Sequence, residues 1–256
     1  MLSLVALCVL LGLVIGSFLN VVIWRVPRGE SVVRPPSHCP ACDGLVAPRD
    51  NVPVVSWLLL RGRCRACSAP ISPRYPLVEA GCGALFAAMA LRFGFDPVLP
   101  AFLYLVAVLL ALALIDVDVH RLPDVLTLPS YAVGVALLGA AAMAGSESGS
   151  IGRAVLGAAV LFAVYFALWF AYPAGMGYGD VKLSGVLGLH LGWLGWDVLA
   201  VGLLGGFFAG GASGVVLLAL GRAGRKTKIP FGPFMIVGAL LAVLAGGPVA
   251  DAWLGR

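Results

Sequence analysis

Charge is scarce in this chain. Only 11% of its residues are Asp, Glu, Lys or Arg, about half the share of an ordinary soluble domain. Hydrophobic residues make up 61%. That balance excludes a large soluble core and points to an integral membrane protein. Internal repeats and low-complexity tracts are lacking too, which excludes solenoid and disordered classes. No strand-plus-glycine pattern of the kind that cradles phosphate or a nucleoside is present. The first apolar segment, residues 2–24, has no basic stretch before it and continues past any small-residue cleavage site. It reads as a retained span and not as a signal peptide. The net charge of +5 reports topology and not nucleic-acid binding, because the basic residues sit between apolar runs.

What is abundant is apolar length. The mean hydropathy is +1.03, and thirty-four glycines suit helices packed closely in lipid. The pattern predicts an all-α polytopic membrane protein with about eight transmembrane helices. They fall at about 2–24, 76–93, 98–116, 125–144, 151–172, 180–194, 197–220 and 231–250; the sixth is short for a span. The one long polar stretch, residues 25–75, is inserted between the first and second spans. Three regions result: a first span (1–24), a polar insert (25–75) and a membrane-embedded remainder (76–256). With the insert in the cytoplasm, alternation brings the loops at 120–121, 175–180 and 222–228 to the same side. That side then carries fourteen of the seventeen Lys and Arg residues, leaving Arg92, Arg153 and Arg256 opposite. Positive residues favour the cytoplasm, so both termini are expected outside.

The insert holds four of the six cysteines as two Cys-x-x-Cys pairs, Cys39/Cys42 and Cys64/Cys67, with twenty-one residues between them. Four thiolates at this spacing can close a tetrahedral zinc site. About fifty residues with few large apolar groups need such a staple. A reducing cytoplasm disfavours the alternative of disulfides. His38 adjoins the first pair and is an alternative ligand, though four Cys suffice. Cys8 and Cys82 lie in apolar runs as small buried hydrophobes.

Two aspartates stand where a membrane protein holds them least easily. Asp116 follows the run Ala101-Phe-Leu-Tyr-Leu-Val-Ala-Val-Leu-Leu-Ala-Leu-Ala-Leu-Ile115, and Asp180 closes Gly177-Tyr-Gly-Asp180. A carboxylate pair within hydrogen-bonding reach shares one proton near neutral pH. The ionised member can activate water and the protonated member can donate to a carbonyl or amine, the two roles amide hydrolysis needs. Gly177 and Gly179 permit backbone approaches that a side chain would block. Asp118, two residues on, competes with Asp116, and no helical-face argument separates them. Asp124 precedes the fourth span and can serve as its cap. Lys182, one turn into the sixth span, has two readings: partner of a catalytic aspartate, or a snorkelling cation. His120 reads as a loop residue and His190 as a span-end residue.

Five segments in order make the chain resemble the type IV prepilin leader peptidases, membrane aspartyl proteases of the Gly-x-Gly-Asp type. They are Gly16-Ser-Phe-Leu-Asn-Val-Val-Ile-Trp-Arg-Val-Pro27; the tetracysteine insert ending in Ile71-Ser-Pro-Arg-Tyr-Pro-Leu-Val-Glu79; Ile115-Asp-Val-Asp-Val-His-Arg-Leu-Pro-Asp124; Gly177-Tyr-Gly-Asp-Val-Lys182; and Lys228-Ile-Pro-Phe-Gly-Pro-Phe234. The resemblance implies that Asp116 and Asp180 are the catalytic dyad, because the family motif aligns on Asp116 and not on Asp118. It implies a prepilin or pseudopilin substrate with a short basic leader, cleaved at the cytoplasmic face of the bacterial inner membrane. It also implies N-methylation of the new amino terminus from S-adenosylmethionine, an activity tied to the cysteine insert that single-function relatives lack. No residue is assigned to the methyl donor. A proton-coupled transporter would place its acids nearer the midplane and show an inverted repeat. A docking scaffold would have no use for paired acid motifs.

Overall fold

The structure, a computed structural model, describes residues 1–173, 175–220 and 230–254, and among these its regular secondary structure is helical, with two isolated antiparallel bridges besides. Nine α-helices are described: α1 (Leu2–Arg25), α2 (Val55–Leu59), α3 (Arg74–Phe93), α4 (Leu99–Val119), α5 (Asp124–Met143), α6 (Ile151–Ala171), α7 (Tyr178–Leu194), α8 (Trp196–Ala219) and α9 (Gly232–Leu254). All but the five-residue α2 correspond to the eight expected spans. Six of them, α1, α3, α4, α5, α6 and α8, are long and apolar enough to cross a bilayer by length and composition alone. The basic cluster at 222–228 and the first two residues of the Lys228 segment lie outside the described residues.

One boundary matters for function. α4 does not stop at Asp116 but continues to Val119, so Asp116 lies inside a helix. Asp116-Val-Asp-Val119 holds neither Gly nor Pro, the residues that break a helix outright. The stop comes at His120, which takes the left-handed conformation (φ 53°, ψ 43°) and donates its N–H to the Asp116 carbonyl at 2.9 Å. Pro123 then prevents the helix from resuming before α5.

The chain divides into two compact units, Met1–Phe95 and Asp96–Arg256. In the first, α1 and α3 pack antiparallel: a side chain at Gly12 would come within 2.8 Å of Gly83 Cα, and one at Gly16 within 2.7 Å of Glu79 Cα. Between these helices the polar insert folds as two copies of one hairpin. Bridges pair His38 with Leu45 and Arg63 with Pro70. Cys39 N–H donates to Gly44 O at 2.9 Å, and Cys64 N–H to Ala69 O at 2.8 Å. Asp43 (φ 54°) and Ser68 (φ 60°) turn the chain at equivalent points. Arg65 crosses to Asp50 as a bidentate pair, with Nη2 2.6 Å from Oδ1, and holds that carboxyl below its usual range.

In the second unit α7 is the interior helix. Thirteen of its seventeen residues are buried, and it packs against α5, α6, α8 and α9. Its approach to α6 needs glycine, since a side chain at Gly157 would come within 2.8 Å of Gly192 Cα. Arg153 at the start of α6 closes the far end of α7, donating to the Gly192 carbonyl at 2.8 Å and the Trp193 carbonyl at 2.6 Å. These are carbonyls that a helix C-terminus leaves without partners.

Candidate active site

Asp116 and Asp180 are both buried, at 5% and 7% exposure, and close enough for the charge of one to act on the other. Each meets the first turn of a helix. Asp180 is in the opening turn of α7, where its Oδ2 accepts the Gly177 N–H at 3.2 Å. Helix N-termini leave such amides free to donate. Asp116, from the last turns of α4, faces Gly232 at the start of α9, where a side chain would stand 2.7 Å from its Oδ2. Leu122, from the turn after α4, lies against both entry points. A side chain at Gly179 would stand 3.1 Å from Leu122 Cβ, and one at Gly232 3.4 Å from Leu122 Cδ1 and 2.7 Å from Asp116 Oδ2. The glycines thus let two helix starts close around the carboxylates.

Other expected participants fall elsewhere. Asp118 is exposed while Asp116 is buried, a separation that the sequence could not supply. The ion pair of Lys182 is with Asp124. The Lys182 carbonyl also accepts the Tyr131 hydroxyl at 2.6 Å, which ties α5 to the first turns of α7. Asp124 occupies the first turn of α5 without a side-chain capping bond. His190 is fully buried against Phe102 and Gly134, with Nδ1 donating to Val186 O at 2.9 Å. His120 is exposed at the helix stop.

Sequence reasoning missed three neighbours of the pair: Gly232, Leu122 and Tyr165. Gly232 lies in the quoted Lys228–Phe234 segment, which gave a signal without a role. Leu122 lies within the Asp116 segment. Tyr165 is buried, feels the charge of Asp180, and stacks on Phe207 with centroids 5.6 Å apart. Set in an apolar helical run, it carried no signal of its own.

The four thiols form a second constellation, in the first unit. Cys39, Cys42, Cys64 and Cys67 have sulfurs within 4.8 Å of one another, an arrangement able to hold a metal, and none is in a disulfide. Cys39 and Cys67 sulfurs are 3.8 Å apart. Backbone N–H groups of Cys67 and Ala66 draw the Cys64 thiol down to about 7 while the neighbouring thiols raise Cys67, so the thiolate that binds metals forms first at Cys64. Cys8 and Cys82 are buried apart from this cluster, inside α1 and α3.

Comparison with known proteins covers both units. Residues 10–93 match the bacterial peptidase A24 N-terminal domain, and residues 103–249 match the type IV leader peptidase family. A prepilin leader peptidase/N-methyltransferase of Stutzerimonas stutzeri is 38% identical over 97% of this chain and 93% of its own length. One from Aeromonas hydrophila is 38% identical over the same shares. One from Myxococcus xanthus is 43% identical over 85% of this chain and 64% of its own length. No solved structure matches. On the family match and on this likeness over nearly its whole length, the chain belongs to the type IV leader peptidase family.

Proposed function

We propose that this chain is a membrane-embedded aspartyl endopeptidase. It removes the short basic leader of type IV prepilins or pseudopilins and then N-methylates the new amino terminus. The observation that carries the reading is the pair of buried carboxylates, Asp116 and Asp180, within reach of each other's charge at two helix starts.

The pair holds one proton between its members. The ionised carboxylate takes a proton from water, and the oxygen attacks the scissile carbonyl while the other carboxyl donates its proton to the carbonyl oxygen. Collapse of the tetrahedral species breaks the C–N bond; the proton gained from water passes to the leaving amine, and one hydroxyl proton returns to the carboxylate that had donated it. Gly177 and Gly179 support the site by allowing the close turn into α7. Lys182 supports it by fixing that turn to Asp124.

In this reading residues 25–75 form a cytoplasmic zinc domain and residues 76–256 the protease domain. A zinc ion bound at about 2.3 Å by four sulfurs would set them about 3.8 Å apart, the separation of Cys39 and Cys67. The donor set fits a closed structural site, with the metal stabilising the fold of the insert. S-adenosylmethionine supplies the methyl group. The charge distribution supports a multi-pass inner-membrane protein with both termini outside and the insert and dyad at the cytoplasmic face.

The test is co-expression with a candidate prepilin and mass measurement of the product's N-terminus. A leaderless chain one methyl group heavier than the bare product is expected. An unprocessed leader with every prepilin and pseudopilin tried would overturn the reading.

A further inference from the structure

The polar insert carries a surface that neither the carboxylate pair nor the cysteine cluster uses. Its short helix α2 and the residues beside it expose large apolar side chains: Val52, Val55, Leu58 at 61% and Leu59 at 77%. Water alone is a poor neighbour for such a group of side chains. We propose that this face lies in the interface of an anionic bilayer, with α2 dipping into the boundary between headgroups and acyl chains.

Three observations fix the depth. Glu79, a buried carboxylate on α3, accepts the Val54 N–H at 2.6 Å. Val54 has φ 60° and ψ −49° at the entrance to α2, a rare backbone state for a β-branched residue, so this bond holds the chain in an imposed conformation. Glu79 lies five residues into α3, about 7 Å along its axis, and its side chain leans back toward the helix start. Val54 is therefore level with the first turns of a spanning helix. A second tie, Asn20 Nδ2 to the Tyr75 carbonyl at 3.2 Å, fastens the last turns of α1 to the start of α3 at the same end. Aromatic side chains mark that level independently. Trp24 and Tyr75 are both exposed there, and Arg28 stacks over the Trp24 ring at 3.6 Å. Exposed Trp and Tyr at the ends of spans are the usual signature of the membrane interface.

Charge identifies the lipid. Arg61 and Arg63 follow directly on the exposed leucines and are themselves exposed. Across residues 25–75 eight arginines face only three acidic residues, Glu30, Asp43 and Asp50. An apolar edge with arginines behind it matches acyl chains below and anionic headgroups above. The contact would also set the second cysteine hairpin, which begins at Arg63, on the membrane surface.

The experiment puts the photocrosslinker p-benzoylphenylalanine in place of Leu59, an exposed position where the change disturbs no packing. The full-length protein is placed in nanodiscs of mixed phosphatidylglycerol and phosphatidylcholine, irradiated, and digested for mass spectrometry. A phospholipid adduct at residue 59 is expected, with phosphatidylglycerol enriched over its share of the mixture. An unmodified residue, or a crosslink to another part of the chain, to a second copy or to an added prepilin, would overturn the proposal. Adducts in proportion to the mixture would overturn its anionic half. The readout needs no peptidase activity, so its failure is separate from failure of the functional reading. The same substitution at Leu58 repeats the measurement from the neighbouring side chain.

Discussion

The cysteine insert and the carboxylate pair solve the problem of holding a few reactive groups in opposite ways. In the insert the groups are written close together: each hairpin supplies two thiols three residues apart, and hydrogen bonds local in sequence set their direction. The carboxylates come from residues 116 and 180, on helices whose placement depends on α9, the Leu122 turn and the glycines of α7. The first site is held by a few local bonds and, as proposed, by its metal. The second is held by packing over a whole unit. Damage should therefore be local and all-or-none in the insert, and graded with distance around the carboxylates.

The largest effect is expected at the pair itself. Asp116→Asn or Asp180→Asn should lower leader cleavage by about a thousandfold or more, with normal accumulation in the membrane. Asp118→Asn should keep most of the activity. Cleavage of a prepilin by matched amounts of each variant is the measurement, and an inactive Asp118→Asn beside an active Asp116→Asn would reverse the assignment.

Next is removal of one cysteine pair. Purified protein should carry about one zinc, the complement of a four-thiolate site. Cys39→Ser with Cys42→Ser should lose it and leave the insert open to proteolysis, because metal binding and folding are linked in such small domains. Methylation should fall at least as far as cleavage. Metal analysis, limited proteolysis and the mass of the pilin product report the three outcomes. Methylation kept while cleavage is lost would make the insert part of the protease.

A smaller effect is expected at Gly232→Ala, whose new methyl would stand 2.7 Å from Asp116 Oδ2. Displacing a catalytic group by a fraction of an ångström to an ångström costs up to about a hundredfold. Turnover should fall by tenfold to a hundredfold on that basis, at unchanged protein level. The smallest effect belongs to Asp124→Asn. Asp124 is more than half exposed, so its pair with Lys182 is worth about 1 kcal/mol or less. Cleavage should change by less than about tenfold, and exchange of the two residues (Asp124→Lys with Lys182→Asp) should recover part of it.

Much of this was legible in the chain. The eight long helices follow from runs of apolar residues broken by Gly, Pro and charge, with ends displaced by a few residues. The end of α4 moved by three residues, because a helix stop set by a left-handed His120 has no strong sequence mark. The thiol cluster follows from spacing alone, since local geometry dictates it. The neighbours of the carboxylates do not. Gly232 is a contact only because α9 returns to α4, and Tyr165 feels the charge of Asp180 only because α6 packs along α7. Lys182 had two readings from sequence, and its pairing with Asp124 depends on where α5 begins. The short α2 went unforeseen, because five residues within a proline- and arginine-rich stretch carry no periodic signal.

The brevity of α7 has a consequence for where water must go. Seventeen residues rise about 25 Å, some 5 Å less than the hydrocarbon thickness of a typical bilayer. A helix walled by protein on nearly every side need not match the lipid, so its first turn can sit in a hydrated notch below the headgroups. A lipid-borne substrate helix reaching that notch would have to release about three residues of helical structure to bridge the shortfall. The amide and carbonyl groups so exposed cannot remain bare in an apolar surround. The exposed first turn of α7, with amides that have no partner inside the helix, would offer donors for such carbonyls and would make unwinding the substrate and presenting its peptide bond to the carboxylates one and the same event.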